Sequence, residues 1–386
     1  MTQTSRKPLF EALHLHGVID ASLIEQADTL SNDEMIALCH EIGDTMLERR
    51  DSPAASAAPK FQRLDQAMLA AIASLRSNPA CAPYDEELQQ LEYWASEAYA
   101  RMQPALEKRQ QQGLQRPVGE VVEGDVCLEL VSLCCDILTL DGLSLANEVV
   151  DHYLEGCGDF EMMRLFDYAA VLFTLMRALN VVDHPEALKG YIEAIVYIYE
   201  FRVPYLLLGV GVTGSGKSRF TRSAMRELAG IRVRSSAERE RLMRQREIEG
   251  LPALDKFSAE MTRLTYQRMA RITGALLEAC YPVYIDASCL TREQRELLSN
   301  EARYRGLALV MVQFKASDET LKARLEHRSQ KRGQDPALVA ELLAYQQRAF
   351  EPFEGEERTH LIQIDTDAPD ANETLVNLIR EHLRLN

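Results

Sequence analysis

The chain has 386 residues, 46% of them hydrophobic and 26% charged, which is room for two or three domains and a composition that excludes intrinsic disorder. No run of 18 apolar residues occurs, and the opening MTQTSRKPLFEALHLHG lacks the apolar core of a secretory signal, so a cytoplasmic chain with no membrane partner is expected. The formal charge of −16 is uneven: residues 203–386 hold 28 basic and 26 acidic side chains, the first 202 residues 15 and 33. Such an acidic front half repels nucleic acid and anionic membranes and suits a basic protein partner, although solubility alone accounts for it.

Residues 1–50 read as an N-terminal helical segment, with apolar side chains at helical spacing from Ala21 to Arg49. Residues 51–60, beginning DSPAASAAP, read as a linker. From 61 to 202 the pattern is helical again: one helix around Phe61–Leu75, one from Asp85 to about Gln112 with Pro104 as the place for a kink, and buried helices from Val126 to Phe201. The texture changes at residue 203. Five short apolar runs, Tyr205–Val210, Ile231–Arg234, Val283–Ile285, Leu307–Phe314 and His360–Ile364, alternate with amphipathic helices. Strands separated by helices pair in parallel, because each return needs a crossover. Gly230 is placed to end the first of these helices and Tyr281-Pro282 to end the long one that starts near Ser258, while Thr291 and Gln294 form a capping box. The predicted fold is therefore α/β, a doubly wound parallel five-stranded domain over 203–386, preceded by an all-α helical domain.

Between the first strand and its helix runs Gly211-Val212-Thr213-Gly214-Ser215-Gly216-Lys217-Ser218, which satisfies G-x-x-x-x-G-K-[ST] in the context that motif requires. Its glycines let the backbone wrap phosphate with N–H groups pointing inward, Lys217 reaches the β- and γ-phosphates, and Ser218 is a ligand for Mg²⁺. ATP and Mg²⁺ follow as the expected cofactors. Asp286, at the carboxyl end of a strand, faces the ligand crevice and is a second metal-side or acceptor-orienting candidate; capping the next helix is its plain alternative. Arg324 and Arg328, at i,i+4 on a basic helix over Leu321–Arg332, could stabilise a transferring phosphoryl group or simply pair with Glu319 and Glu326. Six arginines (Arg232, Arg234, Arg239, Arg241, Arg244, Arg246) follow the second strand, where an anionic acceptor would sit, yet interleaved glutamates make a salt-bridged surface equally consistent. The eight cysteines form no Cys-x-x-Cys pair and the histidines no ligand spacing, so neither zinc nor redox chemistry is indicated.

The runs GVTGSGKS, IRVRSSAERERL, KFSAEMTRLTYQRM, CYPVYIDASCLTREQR and LKARLEHR resemble a bacterial two-part family in which a P-loop kinase domain follows an aminoglycoside-phosphotransferase-like domain. The P-loop half is also similar to polynucleotide kinases and zeta-type toxins. LQQLEYWASEAYARMQPALEKRQQQGLQRP and LSLANEVVDHYLEGCGD resemble helices of the family's first domain, but its H-G-D-L-H-x-G-N loop is not kept, which implies a degenerate phosphotransferase-like half over 61–202. The family's Arg-Ser-Asp-x-x-Arg reads Arg234-Ser235-Ser236-Ala237-Glu238-Arg239 here, so Ser236 stands where the resemblance implies a general base. Arg239 matches the arginine implied to bind the acceptor, and Glu238 or Asp286 is left as a replacement base. The resemblance implies a kinase whose acceptor is a small metabolite or nucleotide sugar. An ATP-binding regulatory pseudokinase is the alternative, and a nucleic-acid 5′-hydroxyl kinase the third reading.

Overall fold

The computed structural model describes residues 5–52, 60, 62–117, 124–140, 143–200, 202–333 and 335–384. Most of the linker expected over 51–60, together with Phe61 and Phe201 at the ends of two expected helical stretches, lies outside the described residues. The chain separates into two units, residues 1–202 and 203–386.

In the first unit the described residues fold into α1 (Lys7–Leu15), α2 (Asn32–Asp51), α3 (Leu64–Arg76), α4 (Asp85–Gln111), α5 (Leu128–Leu140), α6 (Leu143–Cys157), α7 (Met163–Leu179) and α8 (Pro185–Glu200). The stretch with helical spacing from Ala21 to Arg49 folds as two pieces. A short 3₁₀ turn covers Ala21–Gln26, and α2 starts afresh because Ser31 and Glu34 close a capping box that satisfies the first N–H groups. Helix α4 runs through Pro104 without ending. Four helices (α3, α4, α5 and α8) pack around α7, which explains why its buried residues occupy nearly every side rather than one stripe. Arg109 is the ionic centre of the unit: 1% exposed, it binds both oxygens of Asp125 at 2.7 and 2.8 Å and both of Asp159 at 2.6 and 2.9 Å.

The second unit follows the order β1 (Tyr205–Val210), α9 (Lys217–Leu228), β2 (Ile231–Arg234), α10 (Ser235–Ile248), α11 (Ala259–Glu278), β3 (Val283–Asp286), α12 (Arg292–Arg303), β4 (Ala308–Lys315), α13 (Asp318–Arg332), α14 (Pro336–Ala349), β5 (Leu361–Asp365) and α15 (Ala371–Leu383). The sheet is wholly parallel in the order β2-β3-β1-β4-β5. Helices α9 and α15 pack together on it, as do α11 and α12, the two layers of a doubly wound fold. Strand β1, central between β3 and β4, is buried at all six positions, as a strand covered on both faces must be. Its carboxyl end therefore opens where neighbouring connections diverge, the place at which open α/β sheets bind ligands.

One buried ion pair fixes the chain after α14. Arg295 of α12, 0% exposed, binds Glu357 through Nε at 2.6 Å and Nη2 at 3.0 Å and donates from Nη1 to the carbonyls of Leu290 and Glu351. Its guanidinium also lies over the Phe353 ring, 4.6 Å from the centroid. Truncation would leave Glu357 as an uncompensated buried charge. Arg295→Ala is expected to cost roughly 3–5 kcal/mol of stability in urea denaturation, and a loss below about 1 kcal/mol would show that the pair is not the anchor.

Candidate functional site

The loop from Gly211 to Ser218 leaves β1 and enters α9, and its shape depends on residues without a Cβ. Gly216 caps α9 at φ 88°, in the left-handed region, and a Cβ there would come within 3.0 Å of the Phe220 ring. Gly211 sits at φ 153°, and a Cβ would meet the Phe314 carbonyl at 2.8 Å. The consequence is a concave backbone. Within it the Ser215 N–H is used by Val212 O, while the N–H groups of Gly214, Gly216, Lys217 and Ser218 meet no acceptor among the described residues. Four inward N–H groups at a helix N-terminus form an anion cradle.

The side chains around the cradle fit a nucleotide with its cation. Ser218 Oγ donates to Asp286 Oδ1 at 3.0 Å, placing a hydroxyl and a carboxylate side by side. Among the described residues no cluster of three or more His, Cys, Asp or Glu could hold a metal. A hydroxyl and one carboxylate suit a cation such as Mg²⁺, which keeps water and phosphate for its remaining positions. The other oxygen of Asp286 lies 3.4 Å from Arg232 Nη1 and 3.3 Å from Arg234 Nε, both reaching across from β2, where Arg234 is in register with Asp286. Asp286 is 5% exposed and engaged on both sides.

Lys217 Nζ donates to Val212 O at 2.7 Å, folding back over the loop. Burial pulls its pKa down to about 8; Asp286 and Cys289 oppose the shift and Arg328 adds to it. Arg239 is half-buried, stacks over Phe257 at 5.5 Å, and has no hydrogen-bond partner at Nε among the described residues. Burial lowers its pKa as well. Arg324 is tied down, donating to Gly214 O at 3.3 Å and to the Thr366 hydroxyl and carbonyl at 2.9 and 3.0 Å.

Lys217, Ser218, Asp286, Arg239, Arg324 and Arg328 all line one cleft of about 1470 Å³. That exceeds the roughly 300–1,000 Å³ of a single-ligand pocket and leaves space for two substrates. A smaller recess of about 370 Å³, between α9, α13 and the turn after β5, shares Arg324 with it.

The structure disperses the rest of the arginine-rich segment. Arg232 is buried on Asp286, Arg241 pairs with Glu238, and Arg246 donates to Pro252 O at 2.9 Å. Glu238, expected as a replacement base, does not line the cleft: it is 0% exposed and held by Arg241 and by Arg268 at 2.7 Å. Ser236 lines the cleft and is exposed. Two contributors were missed. Thr366 follows an apolar strand, a position the strand pattern marks as cleft-facing. Gln346, whose Oε1 accepts the Thr213 N–H at 2.6 Å, carries no signal in the sequence.

Fold and loop together define the second unit as a P-loop domain. Residues 206–353 match the family described as AAA domain. No curated protein matches the chain. Among solved structures, a sugar kinase from Janibacter sp. HTCC2649 is 21% identical, with 47% of this chain covering 95% of that one at a TM-score of 0.36. A gluconokinase from Sinorhizobium meliloti 1021 is 24% identical (48% of this chain, 92% of that one, TM-score 0.32). The Mycobacterium tuberculosis APS kinase CysC, solved with AMPPNP and APS, is 17% identical (48% and 99%, TM-score 0.34).

The lowered pKa of Lys217 has a signed consequence. Below pH 8 the ammonium is charged in both folded and unfolded chains, so its burial cost is fully present. Between about 8 and 10.5 the unfolded chain binds the extra proton, and stability rises with pH. Lys217→Met is therefore expected to be the more stable protein at pH 7, by at most about 3 kcal/mol, with the gain fading towards pH 10. Urea unfolding at a series of pH values, taken as variant minus wild type, reads this directly; a pH-independent difference would contradict it.

Proposed function

We propose that the second unit is an ATP- and Mg²⁺-dependent kinase that transfers a terminal phosphoryl group to a hydroxyl of a small molecule, a metabolite or nucleotide sugar. The observation that carries this reading is the open N–H cradle ending at the Ser218–Asp286 pair, set in a cleft large enough for a second substrate. In this reading Gly211 to Ser218 hold the phosphates, and Lys217 leaves Val212 O to neutralise the terminal two. Ser218 and Asp286 hold Mg²⁺, which supplies charge neutralisation between the β- and γ-phosphates. Arg232 and Arg234 fix Asp286 on its far side, so its role is to stand beside the metal rather than to take a proton. Arg328, near Lys217, meets charge on the moving phosphoryl group, while Arg324 borders the recess that suits the nucleoside end. Arg239, half-buried with an unanswered Nε, holds the acceptor.

No carboxylate replaces Ser236 at the position where the family resemblance puts the general base. Phosphoryl transfer tolerates this, because positioning and charge stabilisation supply most of its catalysis. The same substitution supports a second reading, a nucleotide-binding regulatory protein that does not turn ATP over. The dispersed arginines give no shared cationic surface, and a nucleic-acid acceptor is set aside for that reason.

The first unit is read as a helical, non-catalytic phosphotransferase-like domain. Where the family's H-G-D-L-H-x-G-N loop is not kept, Asp125 is 1% exposed with both oxygens on Arg109, which suits structure rather than chemistry.

Thermal stability and ADP release with ATP and Mg²⁺, with and without a panel of hydroxyl acceptors, test the proposal. Acceptor-dependent release is expected, lost by a factor of roughly 10² or more in Lys217→Ala with the fold intact. Stabilisation by nucleotide without release for any acceptor selects the regulatory reading, and undiminished release in Lys217→Ala would sink the assignment of the cradle.

A further inference from the structure

Helix α14 sends one polar side chain onto the glycine loop. Gln346 Oε1 accepts the Thr213 N–H at 2.6 Å, and its Nε2 lies 3.5 Å from Ser288 Oγ. An N–H can be answered only by the carboxamide oxygen, so chemistry fixes which way this side chain faces. The contact brings the α13–α14 hairpin onto the loop together with an apolar patch, in which Leu321, Leu325 and Leu343 are buried with Val212 and Val339 packed against them.

The peptide that Gln346 touches is the terminal-phosphate end of the cradle. Its carbonyl, Val212 O, is the group that accepts Lys217 Nζ, and the lysine of this loop is the one that reaches the β- and γ-phosphates. The Gly214, Gly216, Lys217 and Ser218 N–H groups stand open, whereas that of Thr213 is answered by protein. A neutral amide oxygen thus holds the one N–H of this stretch that, in the ATP reading, faces the terminal phosphate.

We propose that Gln346 is a specificity-determining residue that distinguishes a nucleoside triphosphate from a diphosphate; the inference rests on the ATP reading of the cradle. A diphosphate fills the four open N–H groups and leaves Gln346 on Thr213. A third phosphate displaces the amide oxygen, and the carboxamide turns to donate from Nε2 to the phosphate. Glutamine can play both parts because it carries an acceptor and two donors, and a carboxylate at the same position has acceptors only. The donor bond to an ionised oxygen is roughly twice as strong as the neutral bond it replaces, so the exchange favours the triphosphate.

The test is calorimetric binding of Mg·ADP and Mg·AMPPNP to wild type, Gln346→Glu and Gln346→Met, with thermal unfolding to establish that each variant folds. Gln346→Glu is expected to weaken AMPPNP about tenfold or more and ADP less than threefold, since a fixed carboxylate repels only the third phosphate. Gln346→Met, which removes both donor and acceptor without adding charge, is expected to weaken AMPPNP about threefold and leave ADP unchanged. Gln347→Glu, one residue along on an exposed position, controls for charge and should alter both affinities alike. Variants whose ADP and AMPPNP affinities move by one common factor, or do not move, overturn the role of Gln346 while leaving the ATP reading intact. Wild-type protein that binds neither nucleotide overturns the ATP reading and this inference with it.

Discussion

A loop that binds anions has to keep its own N–H groups away from protein acceptors, and an unanswered backbone donor is costly wherever water is also scarce. The second unit is arranged around this constraint. Strand β1, locked between β3 and β4, fixes where the loop begins, and the Ser288 carbonyl accepts the Gly211 N–H at 3.0 Å to set its direction. Gly211 and Gly216 adopt backbone angles that side chains resist, so the concave shape does not have to be held by extra bonds. What remains strained is electrostatic: a half-buried Lys217 leaning on a carbonyl, and Arg239 with an unanswered nitrogen.

Asp286 shows how charge is distributed around that loop. Were it alone, its carboxylate could serve either a metal or a proton. Two arginines on the adjacent strand lie against one oxygen, and the Ser218 hydroxyl donates to the other. Strand register does this work, since Arg234 lies directly opposite Asp286 and Arg232 points to the same face two residues earlier.

Much of this was legible in the sequence, for identifiable reasons. The five strands announced themselves as apolar runs because a parallel sheet is covered on both faces, and the glycine loop because its geometry admits few residues. Lys217, Ser218, Asp286, Arg324 and Arg328 were named from local context and Arg239 from the family resemblance, and all six line one cleft. What was not legible depends on long-range partners. Glu238 was a candidate base in sequence, yet Arg268, thirty residues on, holds it in a buried ion pair. Arg232 looked like a ligand group and is a clamp. The apolar spacing from Ala21 to Arg49 did not tell where one helix ends and the next begins; the capping box at Ser31 does. Gln346 lies in a stretch whose composition marks nothing, and Arg295 closes a run that the resemblance marks without giving its partner; only folding brings them to Thr213 and Glu357.

The Arg295–Glu357 tie gives helix α14 a mechanical character. It pins the chain at about Glu351, just past the helix end, while the other end at Pro336 is joined to α13 by a turn. Gln346 stands about five residues from the pin and Pro336 about fifteen, roughly 8 and 22 Å at 1.5 Å per residue. Measured from that pin, the far end of the helix lies about three times as far out as the Gln346 contact.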